Sequence, residues 1–303
     1  MAASESKTTV IAAFVGNFAI AIAKLVVAAI TGSSAMLSEG IHSIADTANQ
    51  GLLLRGLTVA RKGPTVAHPF GRGKEIFFWS FMVAIMLFVG GSVLSITHAI
   101  EAIREPHVPE SVGLSFIVLG VAFVIEAYVL SIALKHFNSE RGSRSMWRSI
   151  RVTKDAPTLV VLLEDMAALL GVAFAAAGLA LAVVTDNGIW DGVASLMIGI
   201  LLAVVAVVLA YETKALLIGE AASRADRSAI RMNILSVPLV ESVGRLLTMH
   251  MGPDEILVNA DVDLTDGLTD TQVEEAIDNI EEAIRTVWPS ASNIFVELES
   301  HRG

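Results

Sequence analysis

The residues best suited to chemistry lie inside two apolar stretches. In the first, Glu39, His42 and Asp46 follow one another at intervals of three and four within Ser38–Gln50. On a helix those intervals stack the three side chains on one face. An imidazole and a carboxylate on adjacent turns make half of a tetrahedral zinc site, with nitrogen and oxygen ligands each about 2.0 to 2.2 Å from the ion. The plain alternative is a polar helix end hydrogen-bonded to its neighbours. That is the commoner outcome in a soluble helix, but polar groups at membrane depth are costly, so in an apolar span function becomes the better reading.

The second stretch carries Glu164 and Asp165, between the apolar runs Leu159–Leu163 and Met166–Leu170. Adjacent residues project about 100° apart on a helix, so both reach one ion only if the backbone is irregular or the ion lies between them. Asp165 is expected as the direct ligand and Glu164 as a supporting group or proton carrier. A carboxylate simply facing water near the end of the span is the plain alternative. The chain has no cysteine, which excludes disulfides and thiolate metal sites and leaves His, Asp and Glu as ligands.

Other polar groups in apolar surroundings read as structural. Lys24 and Asn17 share one stretch and Glu126 lies in another, and Lys24 with Glu126 is expected as a buried ion pair. Asp191, just after Asn187 and Gly188, reads as a helix-start residue rather than a ligand. His98 and His107 read as solvated groups near a membrane face.

The elements that must position these groups are membrane helices. The chain is 54% hydrophobic and only 17% charged over 303 residues, too apolar for a soluble domain of that length. Six stretches are long enough to cross a hydrocarbon core of ~30 Å: Thr8–Ile30, Ala35–Val59, Ile76–Ile103, Ser111–Leu134, Thr158–Val184 and Ile189–Leu217. The second and fifth are the least purely apolar. Between spans two and three lie Arg55, Arg61, Lys62, Arg72 and Lys74; between four and five lie Lys135, Arg141, Arg144, Arg148, Arg151 and Lys154. The opposite loops offer only Arg104. This bias places both termini in the cytoplasm. The start, MAASESK, lacks a basic leader, so the first span is expected to be retained and the membrane to be a bacterial inner one.

Glu220–Gly303 holds 6 Lys or Arg against 16 Asp or Glu, so it accounts for the whole formal charge of −10. Within it, Asp226–Leu235 and Thr271–Val287 have helical periodicity. Arg245–His250, Ile256–Leu264 and Asn293–Glu299 read as strands, with Val258, Ala260, Val262 and Leu264 on one face. The expected architecture is an all-α six-helix transmembrane domain over residues 1–217, followed over 218–303 by a small α+β cytosolic domain of order αββαβ. A domain that small wants a partner, and a homodimer is expected, with no nucleic-acid partner.

With HSIAD in span two, LLEDMAALLG in span five and this layout, the chain resembles the cation diffusion facilitators, and SEGIHSIADTANQGLL, HPFGRGKEIFFWSF and VVLLEDMAALLGV resemble their zinc transporter 9-like branch. The resemblance implies a ferredoxin-like tail and proton-coupled export of a divalent metal, zinc first, rather than an enzyme or a resident cofactor. It also implies a transport site joining His42 and Asp46 to a span-five pair, of which Asp165 is one member. The other member, four residues earlier, is Val161, which cannot bind metal. Glu164, Glu39 or water then completes the shell, or selectivity shifts toward manganese, cobalt or iron, since a set richer in oxygen is harder. A relative that kept the fold as a metal sensor or scaffold is the rival reading. A loop site after span two is implied at His68, but Arg72 stands where some relatives have a second histidine, and a cation repels metal. Lys74 matches an interlock lysine, with Glu220 its nearest acidic candidate. Tail metal sites of relatives map onto Asp261, Glu297 and Glu299, with His250 and His301 nearby, and these read as a solvated acidic face. An imidazole titrating near pH 6.5 suits metal–proton exchange at His42.

Overall fold

Backbone groups in hydrocarbon find no water and must be satisfied within their own segment, which makes long helices the natural form for the apolar stretches. The computed structural model describes residues 2–141, 155–253, 255–289 and 291–299. Six long helices occupy the first two-thirds of the chain: α1 (Ala2–Thr31), α2 (Ser34–Ala60), α3 (Glu75–Arg104), α4 (Val112–Arg141), α5 (Ala156–Thr185) and α6 (Ile189–Ile218). Among the described residues, α3, α4, α5 and α6 are long and apolar enough to cross a membrane, while α1 contributes a shorter apolar part, Asn17–Thr31. Helix α2 falls short because of the polar run Ser38–Gln50. Its polar residues point inward, with Ser38, Glu39, His42, Ser43, Thr47 and Asn49 all buried.

The helices follow the sequence reading closely except at three places, the first being α1, which starts at Ala2 rather than Thr8. Helix α4 runs on to Arg141, beyond the apolar stretch that ends at Leu134, because helix continues through polar residues once it leaves the hydrocarbon. Helix α3 is wound as a π-helix over Leu87–Val93, where Gly90 and Gly91 weaken the ordinary ladder. The loop cations Arg144, Arg148, Arg151 and Lys154, and His301, lie outside the described residues.

Two compact units emerge. Residues up to Gly56 together with Trp79–Thr213 form one; Leu57–Phe78 with the residues from Lys214 onward form the other. In the first unit the large apolar side chains are split between a core and an outer surface. Phe18, Ile22, Val26 and Ile30 make an exposed stripe at four-residue intervals on α1, and Ile117, Val121, Val124, Tyr128 and Ile132 make one at intervals of three and four on α4. Such apolar outer faces suit contact with lipid tails. Small residues let the helices approach, as is usual without a hydrophobic force between them. A Cβ at Gly178 of α5 would overlap Ala194 of α6 and sit 2.8 Å from the Trp190 carbonyl.

In the second unit the order is α7 (Arg224–Leu235), β1 (Val240–His250), β2 (Ile256–Leu264), α8 (Asp270–Val287) and β3 (Ala291–Leu298). Ser223 caps α7 through the Asp226 amide, and Thr269 with Gln272 forms a capping box on α8. The sheet runs β1-β2-β3, antiparallel between β1 and β2 and parallel between β2 and β3. The central strand buries Ile256, Val258, Ala260 and Val262 against Ile230, Ile234, Ile280 and Ile284 of the two helices. Phe70 meets Phe295 edge-on, with ring centroids 6.4 Å apart, so part of the loop after α2 packs with this unit.

Gly178→Val should destabilise the full protein in detergent by about 1–3 kcal/mol, the cost of overpacking. Gly120→Val on α4, where an added Cβ meets nothing within 4 Å, should leave the melting temperature unchanged. Thermal melts of the two variants check this, and equal melting would show that α5 and α6 do not pack as described.

Candidate metal site

The two helices that carry the sequence candidates, α2 and α5, are each started by a side-chain cap. Asp155 begins α5 by accepting hydrogen bonds from the Thr158 amide, at 3.4 Å, and from the Thr158 hydroxyl, with Pro157 in the first turn. Helix α2 is capped from a distance: the Asp191 carboxylate, in the first turn of α6, accepts from Ser33 Oγ at 2.6 Å, from the Ser34 amide at 2.5 Å and from the Ala35 amide at 3.3 Å. Asp191 is therefore structural, as its sequence context implies, but the helix it caps is α2. Its negative charge also suits the positive end of that helix.

Along α2 the three sequence candidates separate into two groups. His42 and Asp46 are one turn apart, with His42 Nδ1 3.3 Å from Asp46 Oδ1. His42 is fully buried, and neither ring nitrogen has a hydrogen-bond partner among the described residues. Glu39, by contrast, accepts from Lys24 Nζ of α1 at 3.0 Å, and the same ammonium donates to Ser43 Oγ at 2.9 Å. All of Lys24 and Glu39 is buried. The expected Lys24–Glu126 pair is corrected here: α1 presents Lys24 to α2, and Glu39 lies closer in the packing than α4 does. Its other oxygen, Oε1, meets α5 at Gly171, where a Cβ would overlap it. One carboxylate thus ties α1, α2 and α5 together.

On α5, Glu164 accepts from Asn49 Nδ2 of α2 at 2.6 Å, and Asp165 Oδ2 has no hydrogen-bond partner among the described residues. Asp46, Glu164 and Asp165 line one cavity of about 40 Å³. Glu126 and Val129 of α4, Asn17 and Ile20 of α1, Ser43 and Gln50 of α2, and Val161 complete its wall. His42 does not line it, and reaches it only through Asp46. Sequence reasoning set Glu126 aside because pairing it with Lys24 was chemically natural; no signal in one sequence gives the rotation of α4 about its axis. No three His, Asp or Glu side chains among the described residues converge closely enough to hold an ion as they stand. What the arrangement offers is a small polar cavity between four helices, with carboxylates around it and orphaned acceptors at its edge. A divalent cation answers such groups better than water alone, since buried charges persist when paired or bound to metal.

The outlying candidates have other occupations. His98 lies 3.5 Å from Glu101 and His107 Nδ1 is 2.7 Å from the Glu105 carbonyl, both exposed. His68 closes an exposed turn with Thr65. Lys74 Nζ lies 3.5 Å from Met249 Sδ, and partial burial lowers its pKa. In the tail, Asp261 is held by Arg245 Nε at 2.6 Å, a bond that raises the Arg245 pKa, and His250 packs edge-on against Trp288.

The pattern of the cation efflux transmembrane domain matches residues 10–218. The chain belongs to the cation efflux family. This is a family of transporters, not enzymes, and it is the family of the cation diffusion facilitators that the motifs resemble. Similar proteins include Metal tolerance protein C4 of Arabidopsis thaliana, 31% identical over 265 residues, covering 86% of this chain and 57% of that protein. The mitochondrial proton-coupled zinc antiporter SLC30A9 of Mus musculus is 31% identical over 235 residues, 77% of this chain and 41% of that protein. The manganese efflux system protein MneP of Bacillus subtilis is 26% identical over 176 residues, 57% of this chain and 56% of that protein. The chain spans about half the length of these relatives.

The Lys24–Glu39 pair gives a stability test within this family member. Lys24→Met leaves a buried carboxylate without its cation and should cost about 3–5 kcal/mol, whereas Lys24→Met with Glu39→Met should recover most of that. Thermal melts of the two variants decide; equal losses would mean the pair does not form.

Proposed function

We propose that this protein exports a divalent metal ion, zinc in the first instance, in exchange for protons, by alternating access at the cavity between α1, α2, α4 and α5. The observation that carries the reading is that cavity: Asp46 of α2 and Glu164 and Asp165 of α5 line one small space inside an otherwise apolar unit. His42 joins it through Asp46. Metal ligands must be deprotonated to bind, so loading the ion releases protons and unloading takes them up. In this reading all six long helices span the membrane, with polar α2 shielded from lipid by its neighbours. The domain boundary falls near Leu217, the tail is ferredoxin-like, and two copies pair through it.

Both termini lie in the cytoplasm in this reading. The eleven basic loop residues support it, as does Arg55, which lies over the Trp79 ring at 5.1 Å, an arrangement suited to a membrane interface. The acidic tail then raises the local concentration of cations on the side from which they enter. Glu39 serves the site from its pair with Lys24, either as a fixed support or as a ligand released when the helices move.

One observation favours a second reading of the cargo. Val161 lines the cavity at the position where a second nitrogen ligand is absent, so the wall offers oxygens and methyl groups. Oxygen sets suit manganese or iron as well as zinc. Transport of both ions in proteoliposomes decides selectivity, and Val161→His should shift preference toward zinc.

His42→Ala and Asp46→Ala should each abolish zinc uptake driven by a pH gradient in proteoliposomes, with the folded protein still recovered. Uptake at the unmodified rate would remove these residues from the pathway.

A further inference from the structure

We propose that Glu126 of α4 is a metal ligand of this site, supplying the oxygen that Val161 of α5 cannot. The proposal rests on the transport reading above and names a side chain on a helix outside the α2 and α5 pair. Three observations lead to it. Glu126 lines the same cavity as Asp46, Glu164 and Asp165. The cation expected to pair with it, Lys24, makes its hydrogen bonds to Glu39 and Ser43 and acts on Glu126 only as a more distant charge. The wall position on α5 one turn before Asp165 is Val161, which presents only methyl groups.

The acidic wall is not the sole ground. His42 is fully buried with both ring nitrogens unbonded among the described residues, and it contacts Asp46 on the cavity wall at 3.3 Å. Nε2 of this buried ring has no partner among the described residues and Nδ1 has only the Asp46 carboxylate, so the imidazole is free to follow Asp46 toward a cation. Asp46, Asp165 and Glu126 all line the cavity, so closure of the side chains around an ion gives carboxylates from three helices. A volume of about 40 Å³ accommodates an ion with little accompanying water. The donor set is then mainly oxygen, which suits manganese and zinc and disfavours soft ions.

Isothermal titration of the purified full-length protein with Mn²⁺ and Zn²⁺ salts tests this. Glu126→Gln keeps the side-chain shape and removes the charge. It should weaken binding at least about tenfold, since even groups that only support a ligand cost 10- to 100-fold when removed. The melting temperature without metal should not fall. Adding Val161→His to Glu126→Gln should restore zinc binding in part. Equal affinity in Glu126→Gln and the parent overturns the proposal and leaves the transport reading standing; so does lost proton coupling at unchanged affinity. No saturable binding by the parent overturns both. Should Glu126→Gln fail to fold, the absence of any native cysteine makes Glu126→Cys a second probe. Cd²⁺ should shield that thiol from maleimide, and labelling that is equally fast with and without Cd²⁺ overturns the proposal.

Discussion

A charge buried among apolar helices must find an opposite charge or a metal, because the surroundings cannot solvate it. In this chain Lys24 meets that demand for Glu39, and the amides at the start of α2 meet it for Asp191. The carboxylates of Asp46, Glu126, Glu164 and Asp165 remain around one cavity, with Asn49 reaching Glu164. Four acidic groups in so small a space repel one another unless protons or a doubly charged guest intervene. Exchange of the one for the other is the physical basis of the antiport proposed above.

The rest of the helical unit serves to hold that imbalance. Gly171 lets Glu39 press against α5, and Gly178 lets α5 press against α6, so close backbone contacts add to the apolar core in fixing the charged rods. Asp191 ties the start of α6 to the start of α2, the helix that carries His42 and Asp46. The outer faces of α1 and α4 keep apolar side chains exposed, which leaves polar groups only one place to go, the interior.

Much of this was legible in the sequence because membrane helices obey simple rules. Length and apolarity gave the helices of the first unit to within a few residues, apart from the earlier start of α1, the polar extension of α4 and the π-wound turn of α3. Alternation on β2 gave Val258, Ala260 and Val262 as one buried face. The His42–Asp46 contact followed from four-residue spacing alone. What failed was partner choice between helices: Lys24 with Glu39 or with Glu126 is decided by how α1, α2 and α4 rotate about their axes, and one sequence carries no such signal. For the same reason Asp191 was recognised as a helix-start residue while the helix it caps was not.

The proposed transport requires a divalent ion among these carboxylates. Anomalous scattering from the protein crystallised with zinc or manganese tests it directly. A peak is expected between α2 and α5, within about 2.0 to 2.2 Å of oxygens of Asp46 and Asp165. Saturating metal with no peak in that cavity, and ions only on the acidic tail, would contradict it.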